Sequence, residues 1–314
     1  MQSAAVGGYL YNDPEGFDLR SEIARVEEVS LENVCLGAGI DDLLLLTCRA
    51  FLQPGRVAVT SLGGYPTFNY AVAGCGGSIY SVAYRSDAVD VEGLAEAAQR
   101  TGATLVYLAN PDNPSGSFAS RSSVEGLRSE LPAGCLLILD EAYADFVPRS
   151  ERPVFDPEDP QVVRMRTFSK AHGMAGLRVG YALGPSSLMG LYEKIRLHFA
   201  VNIVAQAGAL ASLRDPEHVA RVVGQMPSIR DFLSAECRKL GLSTLPSFTN
   251  FVNVDLGSPE RSLRLLQELQ RRGVFVRRPF AEPLNRCIRV TLAPIPTMQA
   301  FILELEAALG ALGS

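Results

Sequence analysis

Short runs of Val, Ile, Leu and Tyr alternate along the chain with stretches in which apolar residues recur every three or four positions. The short runs at 56–62, 78–84, 103–109, 135–140, 162–168 and 179–183 predict strands. The helical periodicities at 41–52, 91–100, 122–131 and 187–198 fall between them. Strands that alternate with helices in this way imply an α/β fold, a mostly parallel central sheet with helices on both faces.

From about residue 216 the rhythm changes. A long amphipathic stretch at 216–240 precedes a strand pattern at 251–256, a helix at 260–272, strands at 274–277 and 287–292 and a last helix. This is the pattern of a smaller α+β unit. The expected division is a large domain over 30–213, with 1–29 and 214–314 forming the small one. No internal repeat or low-complexity linker interrupts the chain, and the Pro- and acid-rich segment 148–160 is its most irregular connection.

Composition narrows the function classes. The 314 residues are 47% hydrophobic and 20% charged, which suits a soluble globular protein with a sizeable core. A net charge of −5 without a basic block gives no electrostatic case for nucleic acid or an acidic membrane surface. The N-terminal MQSAAVGGYLYNDPEG lacks the charged start and apolar core of a leader, so a cytoplasmic protein is expected. Six scattered cysteines without a CxxC pair, and three histidines, favour buried free thiols over a metal site or a disulfide framework.

In an α/β sheet, ligands bind beyond the carboxyl ends of the strands. The residues there form one set: GAGIDD (37–42), NPDNPSG (110–116), DEAY (140–143) and TFSKAHGMAGLRVGY (167–181). Lys170 stands out, because a lysine amine condenses with an aldehyde to a Schiff base and is the usual anchor of pyridoxal phosphate. Alone it would more simply cap a strand end. The cofactor also needs an anion at its pyridinium nitrogen, donors for its phenolic oxygen, a phosphate cradle and a flat group against its ring.

Each need has a candidate. Asp140 ends a predicted buried strand, where an unpaired carboxylate is costly but a pyridinium partner satisfies it; a turn-capping role is the alternative. Asn113 and Tyr143 are suited to the phenolic oxygen. The turn Gly39-Ile40-Asp41 offers free N–H groups at a helix start, Thr167 and Ser169 add hydroxyls, and Arg178 adds a forked cation that would otherwise be an ordinary surface pair. Phe68, in GGYPTFNY (63–70), is the candidate for ring stacking or else a core residue.

YNDPEGFDLR (11–20), GAGIDD, NPDNPSG, DEAY, TFSKAHGMAGLRVGY, PSFTNF (246–251) and GVFVRRP (273–279), in this order and nearly end to end, resemble the fold-type-I pyridoxal-phosphate aminotransferases of class I/II, most of all the histidinol-phosphate aminotransferase branch. The resemblance implies the PLP-dependent transferase fold and assigns Lys170 as Schiff-base lysine and general base. Asp140 becomes the ring-nitrogen partner, Asn113 and Tyr143 the phenolate ligands, and Thr167, Ser169 and Arg178 the phosphate group. Arg289, in CIRVTLA, matches the arginine that grips a substrate carboxylate. Tyr11 matches a tyrosine that reaches the neighbouring subunit's cofactor phosphate, which implies a homodimer.

In such enzymes an Asn-containing arm precedes this region and folds over the substrate; here the chain starts almost at YNDPEG, which leaves the substrate lid unassigned. Arg277, Arg278 and Arg286 are candidates for a substrate phosphate, or else solvated strand-end charges. His198 is expected to pack at the pocket rim, His172 to sit on a solvent-side turn and His218 on a helix surface. The expected activity is transamination between an amino acid or amino phosphate and a keto acid. The alternatives are a decarboxylase of the phosphothreonine type and a weakly active cofactor-binding protein.

Overall fold

The structure, a computed structural model, describes residues 1–313. Seven strands, β1 (Val34–Gly37), β2 (Val57–Ser61), β3 (Ser78–Val82), β4 (Leu105–Ala109), β5 (Leu136–Asp140), β6 (Val162–Thr167) and β7 (Gly180–Leu183), form one sheet in the order β1-β7-β6-β5-β4-β2-β3. Pairings from β6 through β3 are parallel, and β7 runs antiparallel to both its neighbours. The chain places α1 (Gln2–Val6) and α2 (Phe17–Glu27) before β1, α3 (Ile40–Phe51) after it and α4 (Pro66–Gly74) after β2. It continues with α5 (Val91–Thr101), α6 (Arg121–Ser129), α7 (Ser186–Ile195) and α8 (Ile203–Leu213).

The central strands β4 and β5 are apolar on both faces because both are covered. On β4 and β5, Leu105, Tyr107, Leu136 and Ile138 join the core under α3, α4 and α7. The alternate residues Val106, Leu108, Leu137 and Leu139 join a second core under α5 and α6. A third core gathers Leu19 and Ile23 of α2 with Val34, Leu36, Phe168 and Tyr181. The expected grouping of residues 1–29 with the smaller unit therefore differs from the packing: the apolar stripe of α2 is buried against β1, β7 and α8.

Beyond α8 come the 24-residue α9 (Pro216–Lys239), β8 (Ser243–Thr244), β9 (Phe251–Asp255), α10 (Pro259–Arg271), β10 (Cys287–Thr291) and α11 (Ile295–Gly313). The antiparallel sheet β10-β9-β8 packs with these helices around its own core of Leu233, Val252, Leu265, Ile288 and Leu305. The stretch 274–277 is not a strand; a single bridge joins Arg277 to Arg289. α11 contains one stretch, Ile295–Leu312, long and apolar enough to cross a membrane. Its Met298, Phe301, Ile302, Leu305 and Ala308 are instead part of that core. Five of the six cysteines are buried thiols and Cys75 is half-buried.

Candidate active site

The sheet brings the candidate residues together at one edge. β1, β4, β5 and β6 finish there, and β7, running the other way, begins there, as the pairing of Thr167 with Gly180 requires. Arg178, just ahead of β7, is thereby brought beside the turn that follows β1. Ile40, Asp41, Asn113, Asp140, Tyr143, Thr167, Ser169, Lys170 and Arg178 line one cavity of about 150 Å³.

Asp140 is 4% exposed; its Oδ2 accepts the Tyr107 hydroxyl at 2.7 Å and its Oδ1 the Ala142 N–H at 2.9 Å. Burial pushes the carboxyl up to about 6, opposed by these hydrogen bonds and by the charge of Lys170. The Lys170 Nζ lies 5.3 Å from the centroid of the Tyr143 ring. Burial, followed by the positive field of Arg289, pushes the lysine below its ordinary value, while Asp140 pulls it back. The Tyr143 hydroxyl is raised by burial, so it stays a donor.

The turn after β1 needs glycine at 39, which has φ +84° and faces the Arg178 guanidinium where a Cβ would stand. Arg178 itself adopts a left-handed backbone (φ +56°); its Nη2 meets Asp41 Oδ2 at 3.2 Å and its Nη1 donates to the Ala175 carbonyl at 3.0 Å. Thr167 Oγ1 and Ser169 Oγ are 2.8 Å apart.

The smaller sheet closes the other side. Arg289 on β10 donates from Nη1 to Asn113 Oδ1, and its guanidinium lies 4.7 Å from the Phe251 ring centroid. It reaches the cavity through Asn113 rather than lining it. The two Asn253 Nδ2 hydrogens hold the carbonyls of Pro114 and Ser115 at 2.8 and 3.0 Å, tying β9 to the same loop. Arg278 is bound to Ser262, and Arg286 to Asp87 and Asp255, so both are structural. Arg277 is exposed, and its backbone pairs with that of Arg289.

Two expectations change. Phe68 is fully buried in the core, stacked on Tyr107 with centroids 4.7 Å apart, and does not line the cavity. Tyr65 lines it instead, beside Tyr107 and Tyr143, and its hydroxyl donates to Asp41 Oδ1 at 2.8 Å. Pro66 opens α4, so Tyr65 stands at its N-cap, at the cavity, while Phe68 lies within the helix and is buried. His172 is half-buried rather than on the solvent side: its Nδ1 is 2.7 Å from Ser212 Oγ and its ring packs on Phe168. Tyr11, 85% exposed, lies against Phe199 and does not line the cavity of its own chain.

Tyr65, Tyr107 and Ala142 were not among the sequence candidates. Tyr65 follows a strand end and precedes a helix-starting proline, which could have marked it. Nothing in the apolar run of β4 singles out Tyr107 as the partner of Asp140.

The donor set fits pyridoxal phosphate. A buried carboxylate with no ion pair within hydrogen-bond reach among the described residues suits a protonated ring nitrogen. The glycine turn, two hydroxyls and a forked guanidinium suit a phosphate.

The family model described as "Aminotransferase class I and II" matches residues 10–302. The chain belongs to that family. It is a pyridoxal-phosphate-dependent aminotransferase. Histidinol-phosphate aminotransferase 2 of Carboxydothermus hydrogenoformans is 34% identical over 300 residues, 94% of this chain and 82% of that protein. The histidinol-phosphate aminotransferase of Maricaulis maris is 36% identical over 258 residues, 80% and 70% of the two chains. A crystal structure of histidinol-phosphate aminotransferase from Sinorhizobium meliloti in complex with pyridoxal-5'-phosphate superposes with a TM-score of 0.96 at 41% identity, covering 99% of this chain and 86% of that one. The aminotransferase framework is thus common to all three.

Proposed function

We propose that this aminotransferase takes its amino group from a small phosphorylated amine of the histidinol phosphate kind, passes it to a keto acid, and uses Lys170 to carry the proton. The observation behind this reading is the convergence of Lys170, Asp140, Asn113 and Tyr143 on one cavity, with Arg277 beside Arg289. The relatives' names supply the donor class.

Pyridoxal phosphate, when bound, supplies an aldehyde for covalent attachment and a ring that accepts electrons. Asp140 would face its ring nitrogen, and Asn113 and Tyr143 its phenolic oxygen. The Gly39–Asp41 turn, Thr167, Ser169 and Arg178 would hold its phosphate, with Tyr65 and Ala142 available to its faces. Burial and Arg289 weaken the Lys170 amine's hold on its proton, which fits it to take the proton at the substrate α-carbon and return it. Arg289 offers a fork for the carboxylate of the keto acid. Arg277, with no side-chain partner among the described residues, is free for the phosphate of the donor. We place the enzyme in the cytoplasm as a homodimer in which Tyr11 serves the neighbouring site.

A screen of amino donors, read from the change in cofactor absorbance, tests the substrate. Histidinol phosphate should convert the cofactor more efficiently than unphosphorylated amino acids, and Arg277→Ala should raise KM for it by about tenfold while leaving that for the keto acid near its parent value. Equal use of donors with and without phosphate, unaltered in the variant, would overturn the assignment.

A further inference from the structure

A second cavity, of about 280 Å³, shares no lining residue with the catalytic one. Five arginines line it: Arg121, Arg149, Arg152, Arg164 and Arg166. Arg164 and Arg166 come from β6, on the face opposite Val163 and Met165, which belong to the core under α3. The others come from α6 and the irregular segment after β5.

The charges do not cancel locally. Glu141 is engaged by Arg164 Nε at 2.9 Å; Asp145 is bound to Arg166 Nη2; Glu27 meets Arg166 Nη1 at 3.2 Å and accepts the Tyr181 hydroxyl at 2.6 Å. Arg121, Arg149 and Arg152 have only carbonyl oxygens as partners. Arg121 donates to the carbonyls of Arg152 and Ser150 at 3.0 and 2.9 Å, and Arg152 to that of Val147 at 3.1 and 3.0 Å. Arg149 makes one long bond, 3.4 Å, to the Val26 carbonyl. Glu28, also on the wall, is exposed and makes no ion pair among the described residues. Burial, followed by the nearby charge of Arg166, presses the half-buried Arg152 below its ordinary value, while Asp145, Glu141 and Glu27 pull it back.

The geometry points to this cavity as a binding site for a phosphate group, separate from the catalytic centre. Arg121, Arg149 and Arg152 supply the forks that no carboxylate occupies. Val154 and Phe155 on the wall give an apolar surface for the carbon part of a small phosphomonoester. β6 leads within one residue of Arg166 to Thr167, and Glu141 follows Asp140, so the site lies directly behind the catalytic strands.

The test is calorimetric titration of the cofactor-loaded enzyme with inorganic phosphate and with glycerol 3-phosphate, ionic strength held constant with chloride. Saturable binding is expected, weakened about tenfold or more by Arg149→Ala, whose exposed side chain makes it the substitution least prone to disturb folding. Arg152→Gln should weaken it similarly, and Arg277→Ala, which alters the catalytic side only, should leave it unchanged. The same affinity for both ligands assigns the site to free phosphate, and tighter binding of glycerol 3-phosphate assigns it to an ester. Binding no stronger than chloride competition allows, binding untouched by Arg149→Ala, or binding lost only in Arg277→Ala would overturn the proposal.

Discussion

Asp140 shows how a single buried side chain links stability to chemistry. Its carboxyl ordinarily titrates at 3.8 and is pushed up to about 6 in the fold, chiefly by burial. Below 3.8 the group is protonated in both folded and unfolded chains and costs nothing. As pH rises from 3.8 to about 6 only the unfolded chain ionises freely, so folding loses stability, by about 3 kcal/mol once pH exceeds 6. Asp140→Asn removes that pH-dependent cost. In the cofactor-free protein, the stability of the variant relative to the parent should therefore climb by about 3 kcal/mol between pH 4 and 7, measured by urea unfolding. A difference that stays flat would show that the carboxyl is not held this way. With cofactor present the same substitution should remove most turnover, because no anion remains for the ring nitrogen. Asp140 and Lys170 were legible in the sequence because each stands at the polar end of an apolar run. Phe68 was misplaced for an equally physical reason: Tyr65 stands at the N-cap of α4 and Phe68 within it, and residue type alone does not report which of two nearby aromatics faces the core.

Among the elements, those whose sequence period matches their burial were read nearly to their ends. β4 and β5 are nearly continuous apolar runs because helices cover both faces, and α5 and α10 carry clear polar and apolar sides with Asp90 and Ser258 as caps. The stretch 274–277 has strand-like composition, yet only Arg277 finds a paired neighbour, so pairing rather than propensity decided it. α2 was assigned to the wrong neighbour because periodicity identifies an apolar face without naming the surface that receives it. The junction of β1 and α3 gives a direct test of element-level function. Gly39→Ala places a side chain at φ +84° and against the Arg178 guanidinium. The backbone effect alone should cost about 1 kcal/mol, and displacement of Arg178 should weaken cofactor binding about tenfold in equilibrium dialysis. A variant that melts lower but keeps parental cofactor affinity would show that this turn is no phosphate cradle.

At the scale of the whole molecule, the N-terminal segment carries apolar side chains that one chain leaves uncovered. Val6, Tyr9, Leu10 and Tyr11 are exposed, as are Leu197 and Phe199 of the loop beside them. The two stretches are joined by the Tyr11–Phe199 ring contact and by Asn12 Nδ2 donating to the Val201 carbonyl at 2.8 Å. A contiguous apolar surface of this kind is ordinarily buried by association. A dimer in which Tyr11 crosses to the neighbour makes a prediction that a local role for Tyr11 does not. Lys170→Ala should abolish the cofactor attachment that borohydride fixes, read by intact mass, and Tyr11→Ala should weaken cofactor binding. When the two variants are co-expressed at a cofactor concentration too low to sustain Tyr11→Ala alone, the mixed dimer has one site with Lys170 from one subunit and Tyr11 from the other. Its activity should recover to about half that of the parent, because the second site lacks both groups. If Tyr11 acts within its own chain, every site in the mixed dimer is missing one group and no activity returns. Light scattering fixes the remaining condition: a monomer at assay concentration would rule out the crossing, whatever the variants do.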